Sequence, residues 1–351
     1  MSLPDEIRRF VAGAEHTEAE LASLARAAFA YQYERLPAYR ALCERAGRTP
    51  GNIDSWDDVP LVPAAAFATV ELATDPPRET FRSSGTLGGE RSVHRHPFPD
   101  LYRATVDASF PRFCLTPGEH PPTLSLVAPR QVAPDSSLAF MAAHVLERFG
   151  GPGSAYGFGG RGIELGACRS WLGGRQRAGR PVLLFSTTFA LAELVSRVER
   201  MNLHFRLPAG SVIFETGGFK ARRRVVDRDE LAAGVESWLG VPRERIVSEY
   251  GMTELTSQAY TETLAGGPAD RFVTPGWMRV RALDPETLAP LPPGERGLLA
   301  FFDLANVGSA IHLLTEDLGR VDADGGFFLD GRAADAELRG CSLLAEELEG
   351  G

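Results

Sequence analysis

The chain has 351 residues, 44% hydrophobic and 24% charged, with a net charge of −9. That length supports a sizeable core in one large domain or two moderate ones, and the acidic balance argues against nucleic acid or an anionic membrane surface as partner. No run of about eighteen apolar residues occurs, and the start MSLPDEIRRF lacks a hydrophobic signal core, so no membrane span is expected and the expected location is the cytoplasm.

In chain order, residues 1–55 read as a helical segment. EHTEAELASLARAAFAYQYER has apolar residues three and four apart and Thr17 placed to cap. RTPGNIDSWDDVPLVP then breaks the pattern with prolines, glycine and aspartates. Beyond it, helices alternate with short apolar strands. LYRATVDASFPRF and LAFMAAHVLERF read as helices, PVLLFSTTF as a buried strand, and ALAELVSRVERMN as a helix. SVIFE is a strand, RDELAAGVESWLG a helix with a glycine stop, and RIVSEYG a strand. Such alternation predicts an α/β fold, with parallel or mixed sheets flanked by helices. After residue 270, GLLAFFDL and GRVDADGGFFLDGR predict antiparallel strands, the second turning at an Asp-Gly.

The four cysteines, Cys43, Cys114, Cys168 and Cys341, lie far apart with no CxxC pair, so neither a zinc site nor a disulfide framework is expected. Cys43, Cys114 and Cys168 read as inert core residues. Of the 37 basic residues 36 are arginine. The only lysine, Lys220, singles itself out as a compact ammonium.

Three glycine-bearing turns follow apolar strands: FRSSGTLGGERSVH, SVIFETGGFK and RIVSEYGMTE. Glycine lets a backbone approach a ligand closely, and hydroxyls with free N–H groups bind phosphate oxygens at strand ends. The first turn has neither the Walker A nor the G-x-G-x-x-G spacing. Together and in order, FRSSGTLGG, ETGGF, EYGMTE and LTEDLGRVDADGGFFLDGR resemble the adenylate-forming superfamily of acyl-CoA synthetases, peptide-synthetase adenylation domains and firefly luciferase. The resemblance covers about residues 55–345, with Leu87 standing where the superfamily has a second threonine. FETGGFKARRR, EYGMTELTSQAY and LRGCSLL look most like the acyl-protein synthetase branch that serves bacterial bioluminescence, related to phenylacetate-CoA ligase.

The resemblance implies a large N-terminal-type adenylation domain, activation of a carboxylic acid by ATP to an acyl-adenylate, and transfer of the acyl group to a thiol. It implies that Ser83, Ser84, Gly85 and Thr86 wrap the ATP phosphates. Thr216, Gly217 and Gly218 would lie along the adenine, with Tyr250 stacked on it and Gly251 and Met252 completing the turn. Thr253 would bond the α-phosphate and Glu254 would hold Mg²⁺. Asp317 would accept from the ribose hydroxyls and Arg332 would assist at the ribose or hinge. Lys220 and His94 are candidates for facing phosphate or carboxylate. Cys341 is the candidate acyl acceptor, with Arg339 beside it to favour the thiolate. An acyl-accepting reductase, a carrier protein or coenzyme A are the other acceptors left open. The expected organisation is a helical segment 1–55, an adenylation core 56–332 and a tail 333–351. Only nineteen residues follow Arg332 and none is lysine, so the superfamily's C-terminal lid is expected to be absent or truncated. A small acid–CoA ligase and a catalytically silent nucleotide- or acyl-binding subunit are the rival readings.

Overall fold

The computed structural model describes residues 1–83, 91–160, 162–217, 227–333, 344 and 348, and the backbone of 220–221 and 224–225. The helices open with α1 (Leu3–Val11), α2 (Glu18–Arg35) and α3 (Pro37–Arg45), followed by strands β1 (Val62–Pro63), β2 (Glu79–Arg82) and β3 (Val93–His96). Next come α4 (Pro99–Cys114), β4 (Thr123–Ser125), α5 (Ser137–Phe149), β5 (Ala155–Tyr156), β6 (Phe158–Gly159), β7 (Gly162–Ile163) and α6 (Leu165–Ala178). They are followed by β8 (Leu183–Thr187), α7 (Thr188–Arg200), β9 (Val212–Thr216), β10 (Lys220–Ala221), β11 (Arg224–Val225), α8 (Arg228–Leu239) and β12 (Ile246–Tyr250). The last strands are β13 (Ala259–Thr261), β14 (Arg271–Val273), β15 (Met278–Leu283), β16 (Arg296–Asp303), β17 (His312–Val321) and β18 (Phe327–Arg332).

Local chemistry sets the element ends. Thr17 caps α2 as expected, its hydroxyl oxygen accepting from the Glu20 N–H at 3.2 Å. Asp227 takes the N–H groups of Asp229 and Glu230 at the start of α8. That helix stops at Gly240, whose φ of 70° is the left-handed conformation glycine adopts without penalty.

Two compact units result. The first comprises Met1–Ala108, Met252–Ala259 and Val273–Gly351, and the second Ser109–Gly251 and Tyr260–Phe272. In the first unit β15, β16, β17 and β18 pair antiparallel in that order, with β1 parallel to β17. Leu283, Leu298, Ala300, Leu314 and Leu318 form one buried cluster on these strands. The helical segment joins this unit through Gln32 of α2. Its amide donates to the carbonyls of Asn306 and Val307 at 3.1 Å, and its oxygen accepts from the Ile311 N–H. The β17–β18 turn has Gly325 at φ 84°, confirming the Asp-Gly reversal within the five-residue loop Asp322–Gly326.

In the second unit, β5, β4, β8, β9 and β12 form a parallel sheet in that order, continued by β13 and β14 beyond β12. Both faces are covered, which is why β8 and β9 carry the apolar runs Leu183–Phe185 and Val212–Phe214, buried on both faces. Leu184 and Ile213 face the side chains of α6, α7 and α8. Phe185 and Phe214 stack with centroids 4.2 Å apart, and Phe110 lies 5.5 Å from Phe214. Cys43 in the first unit, and Cys114 and Cys168 here, are buried thiols whose pKa burial pushes up, Cys43 to about 12 and Cys168 to about 11.

The sequence reading left open how the first of the three turn-bearing strands pairs. Of the three strands that lead into glycine turns, β9 and β12 are neighbours in the parallel sheet, but β2 pairs antiparallel with β3 in a two-stranded ribbon. The connection between β2 and β3 spans only residues 83–92, too short for the crossover that a parallel pairing needs.

Candidate functional site

In the second unit, β9 and β12 run parallel with Thr216 opposite Glu249, so the ends of both strands lie side by side. Gly217 follows at φ 100°, a conformation that favours glycine, and is exposed. The Thr216 hydroxyl donates to the buried Glu249 carboxylate. Glu249 also reaches under the turn: a Cβ on Gly251 would stand 2.2 Å from its Oε1. Burial pushes the Glu249 carboxyl up to about 7, against the pull of the Thr216 bond and with help from the charge of Glu215. Glu215 is buried as well and accepts from Ser248 Oγ at 2.5 Å and from Thr188 Oγ1. Tyr250 is 8% exposed, with its ring edge-on to Phe272 at 6.3 Å.

The EYGMTE motif continues into the first unit at Met252. Met252 and Thr253 are half-buried and Glu254 is 6% exposed. Burial raises the Glu254 carboxyl above its ordinary range, while a hydrogen bond with the Ser92 side chain and the charge of Arg332 lower it. Arg332 stands opposite Asp317 in the β17–β18 register, with Nε 3.4 Å from Asp317 Oδ1 and NH2 3.4 Å from Glu316 Oε2. The first unit thus brings together Glu254, Asp317 and Arg332, which are far apart in sequence, and adds Ser92 and Glu316. His94 is buried, with Nδ1 2.8 Å from the Thr253 carbonyl oxygen, and its pKa is lowered to about 4 by burial.

Ser83 closes the base of the β2–β3 hairpin. Its N–H donates to the Ser92 carbonyl at 3.1 Å and its hydroxyl oxygen accepts from the Ser92 N–H at 3.0 Å. Ser84, Gly85, Thr86, Gly218 and Cys341 lie outside the described residues. Lys220 is placed by its backbone alone, in β10, paired with Val225 of β11. Sequence reasoning did not single out Ser92, Glu249 or Glu316. Ser92, just before β3, carried no signal of its own, whereas Glu249, immediately before a tyrosine–glycine turn, and Glu316, immediately before Asp317, each carried a positional one.

The sequence pattern of the family described as acyl-protein synthetase, LuxE, matches residues 172–348. The long-chain-fatty-acid–luciferin-component ligase of Vibrio harveyi is 25% identical over 309 residues, 86% of this chain and 79% of that protein. Its namesake from Aliivibrio fischeri is 23% identical over 304 residues, 85% of this chain and 78% of that protein. Among solved structures, 2-hydroxyisobutyryl-CoA ligase in an open conformation, with 2-HIB-AMP and CoA, superposes with a TM-score of 0.65 at 17% identity. That match covers 90% of this chain and 76% of the ligase, and it shows that the fold is the one used by adenylate-forming enzymes. The chain belongs to the acyl-protein synthetase, LuxE, family.

Proposed function

We propose that this protein uses ATP to convert a carboxylic acid, best a long-chain fatty acid, to an acyl-adenylate and then passes the acyl group to a thiol. The observation that carries this reading is the assembly of Glu254, Asp317 and Arg332 in one unit, with Glu254 almost fully buried. A buried carboxylate is costly unless a cation or donor compensates it. Family membership supports the reaction class, and the fatty-acid ligase names of both relatives support the fatty acid.

In the first step, a carboxylate oxygen of the acid attacks the α-phosphorus of ATP and pyrophosphate leaves. The chain must align the two reactants and neutralise charge. Thr253 offers its hydroxyl to the α-phosphate. The half-buried Asp317 accepts from ribose hydroxyls, and its ion pair with Arg332 fixes the orientation of both side chains. For the adenine we propose Thr216, Gly217 and Tyr250, the residues that the superfamily resemblance assigns to it. Ser83, Ser84, Gly85 and Thr86 would hold the leaving pyrophosphate, with Ser83 anchoring that loop at its base. Glu254 suits Mg²⁺, a hard cation that binds through one or two carboxylates plus phosphate oxygens; when bound, it would neutralise phosphate charge and relieve the desolvation of this carboxylate. In the second step, a thiolate attacks the acyl carbon, AMP leaves, and a thioester forms. Cys341 is the proposed first acceptor, with a partner reductase, a carrier protein or coenzyme A as the onward one.

Glu254→Gln keeps the shape and removes the charge. ATP–pyrophosphate exchange should fall at least about 100-fold, the scale lost with one preorganised electrostatic group. Cys341→Ala should leave exchange intact and stop acylation of the chain. Exchange retained in the first variant refutes the metal role. Label retained on the second refutes the thiol, and discharge by free coenzyme A without chain acylation points to a CoA ligase.

A further inference from the structure

Residues 252–258 follow the tyrosine–glycine turn as a stretch, buried from Glu254 onward, that is neither helix nor strand. Buried backbone without a ladder still needs partners for its N–H and C=O groups. Here side chains from β3, α4, the end of β16 and the segment that follows it supply them. His94 of β3 faces the Thr253 carbonyl at 2.8 Å. A carbonyl only accepts, so Nδ1 carries the proton. Asn306 donates its amide to the Glu254 carbonyl at 2.9 Å and to the Ala310 carbonyl at 2.7 Å. The Thr105 hydroxyl of α4 meets the Thr256 carbonyl at 3.0 Å. Asp303, fully buried at the end of β16, accepts from the N–H groups of Thr256 and Ser257 at 2.9 and 2.7 Å.

The remaining protons can be assigned by exclusion. The single hydroxyl proton of Thr256 goes to Asn306 Oδ1 at 2.8 Å, so His96 must donate Nε2–H to that hydroxyl oxygen at 2.9 Å. His94 and His96, alternate residues on one face of β3, therefore hold different tautomers, with rings 4.9 Å apart.

We propose that His94 and Asn306 are positioning residues: by holding the carbonyls of the consecutive residues Thr253 and Glu254, they fix where those two side chains point. Neither touches the reacting atoms. His94 sits on the strand that leaves the 83–92 loop, so the same strand that returns from that loop also tethers the Thr253–Glu254 turn. The catalytic consequence rests on the proposed function; the ordering of the segment does not.

His94→Leu removes the donor at similar bulk, and His94→Asn restores an N–H close to the position of Nδ1. Hydrogen–deuterium exchange on a peptide covering 252–258 should run about tenfold faster in H94L, with α7 peptides unchanged and H94N near wild type. In pyrophosphate exchange with a fatty acid, H94L should lose about 10²-fold in kcat, the scale of a displaced reacting group. It should also require more Mg²⁺, with the KM for the acid unchanged, while H94N recovers most of the rate. Unchanged protection in H94L overturns the proposal whatever the activity. Lost protection with normal kcat and Mg²⁺ dependence overturns its catalytic half, since a merely structural histidine would behave that way. If the wild type shows no exchange with any acid, the proposed function fails, and the protection data still decide the positioning.

Discussion

His94 and His312 are each 1% exposed, and burial lowers their pKa to about 4 and about 3. An unfolded histidine titrates near 6.5. Their contribution is therefore complete above that pH and is lost as pH falls towards the folded values, because only the unfolded chain takes up the protons. Between pH 7 and pH 5 each should cost about 2 kcal/mol. Glu249 works in the opposite sense. Its folded pKa of about 7 lies above the ordinary carboxylate value, so the folded chain takes up its proton first and gains about 2 kcal/mol over the same interval. Urea unfolding at the two pH values should show Glu249→Gln losing about 2 kcal/mol more than the wild type. Equal losses in both proteins would contradict the raised pKa of Glu249. None of this was legible in the sequence. His94 could be singled out as a histidine behind a glycine loop, but its partner, the Thr253 carbonyl, is 159 residues away.

At the scale of elements, β17 and β18 align Asp317 with Arg332, and the alignment depends on Gly319. A Cβ at Gly319 would lie 2.2 Å from the Phe328 carbonyl oxygen across the ladder and 2.8 Å from Leu299. The register shifts at Leu318/Gly319, and Gly331 takes φ 115° in the facing strand. Gly319→Ala should force the strands apart and cost about 3 kcal/mol, the upper end for overpacking. Urea titration measures that cost. Pyrophosphate exchange in the remaining folded protein should fall as Asp317 and Arg332 move apart, and an unchanged rate would detach the ribose role from this register. The elements themselves were largely legible. Periodicity and caps located α2, α7 and α8, and continuous apolar runs located β8, β9 and β12. The pairing of β2 was not legible, because a four-residue strand ahead of a glycine turn reads alike in a parallel sheet and in a hairpin. The motifs marked Glu254, Asp317 and Arg332 by type and order, but Asp303 and Asn306 belong to no motif and act through backbone groups that a sequence does not display.

At the scale of the whole molecule, the fold is shared with adenylate-forming enzymes over 90% of the chain and the family is that of acyl-protein synthetases. The identity to solved structures is low, so the chemistry rests on the buried carboxylate and its neighbours rather than on superposition. The most direct measurement is ATP–pyrophosphate exchange by the full chain across a panel of fatty and aryl acids. The account predicts label entering ATP only when Mg²⁺ and a suitable acid are both present, most rapidly with a long-chain fatty acid. No incorporation with any acid, together with no heat of ATP binding by calorimetry, would contradict it.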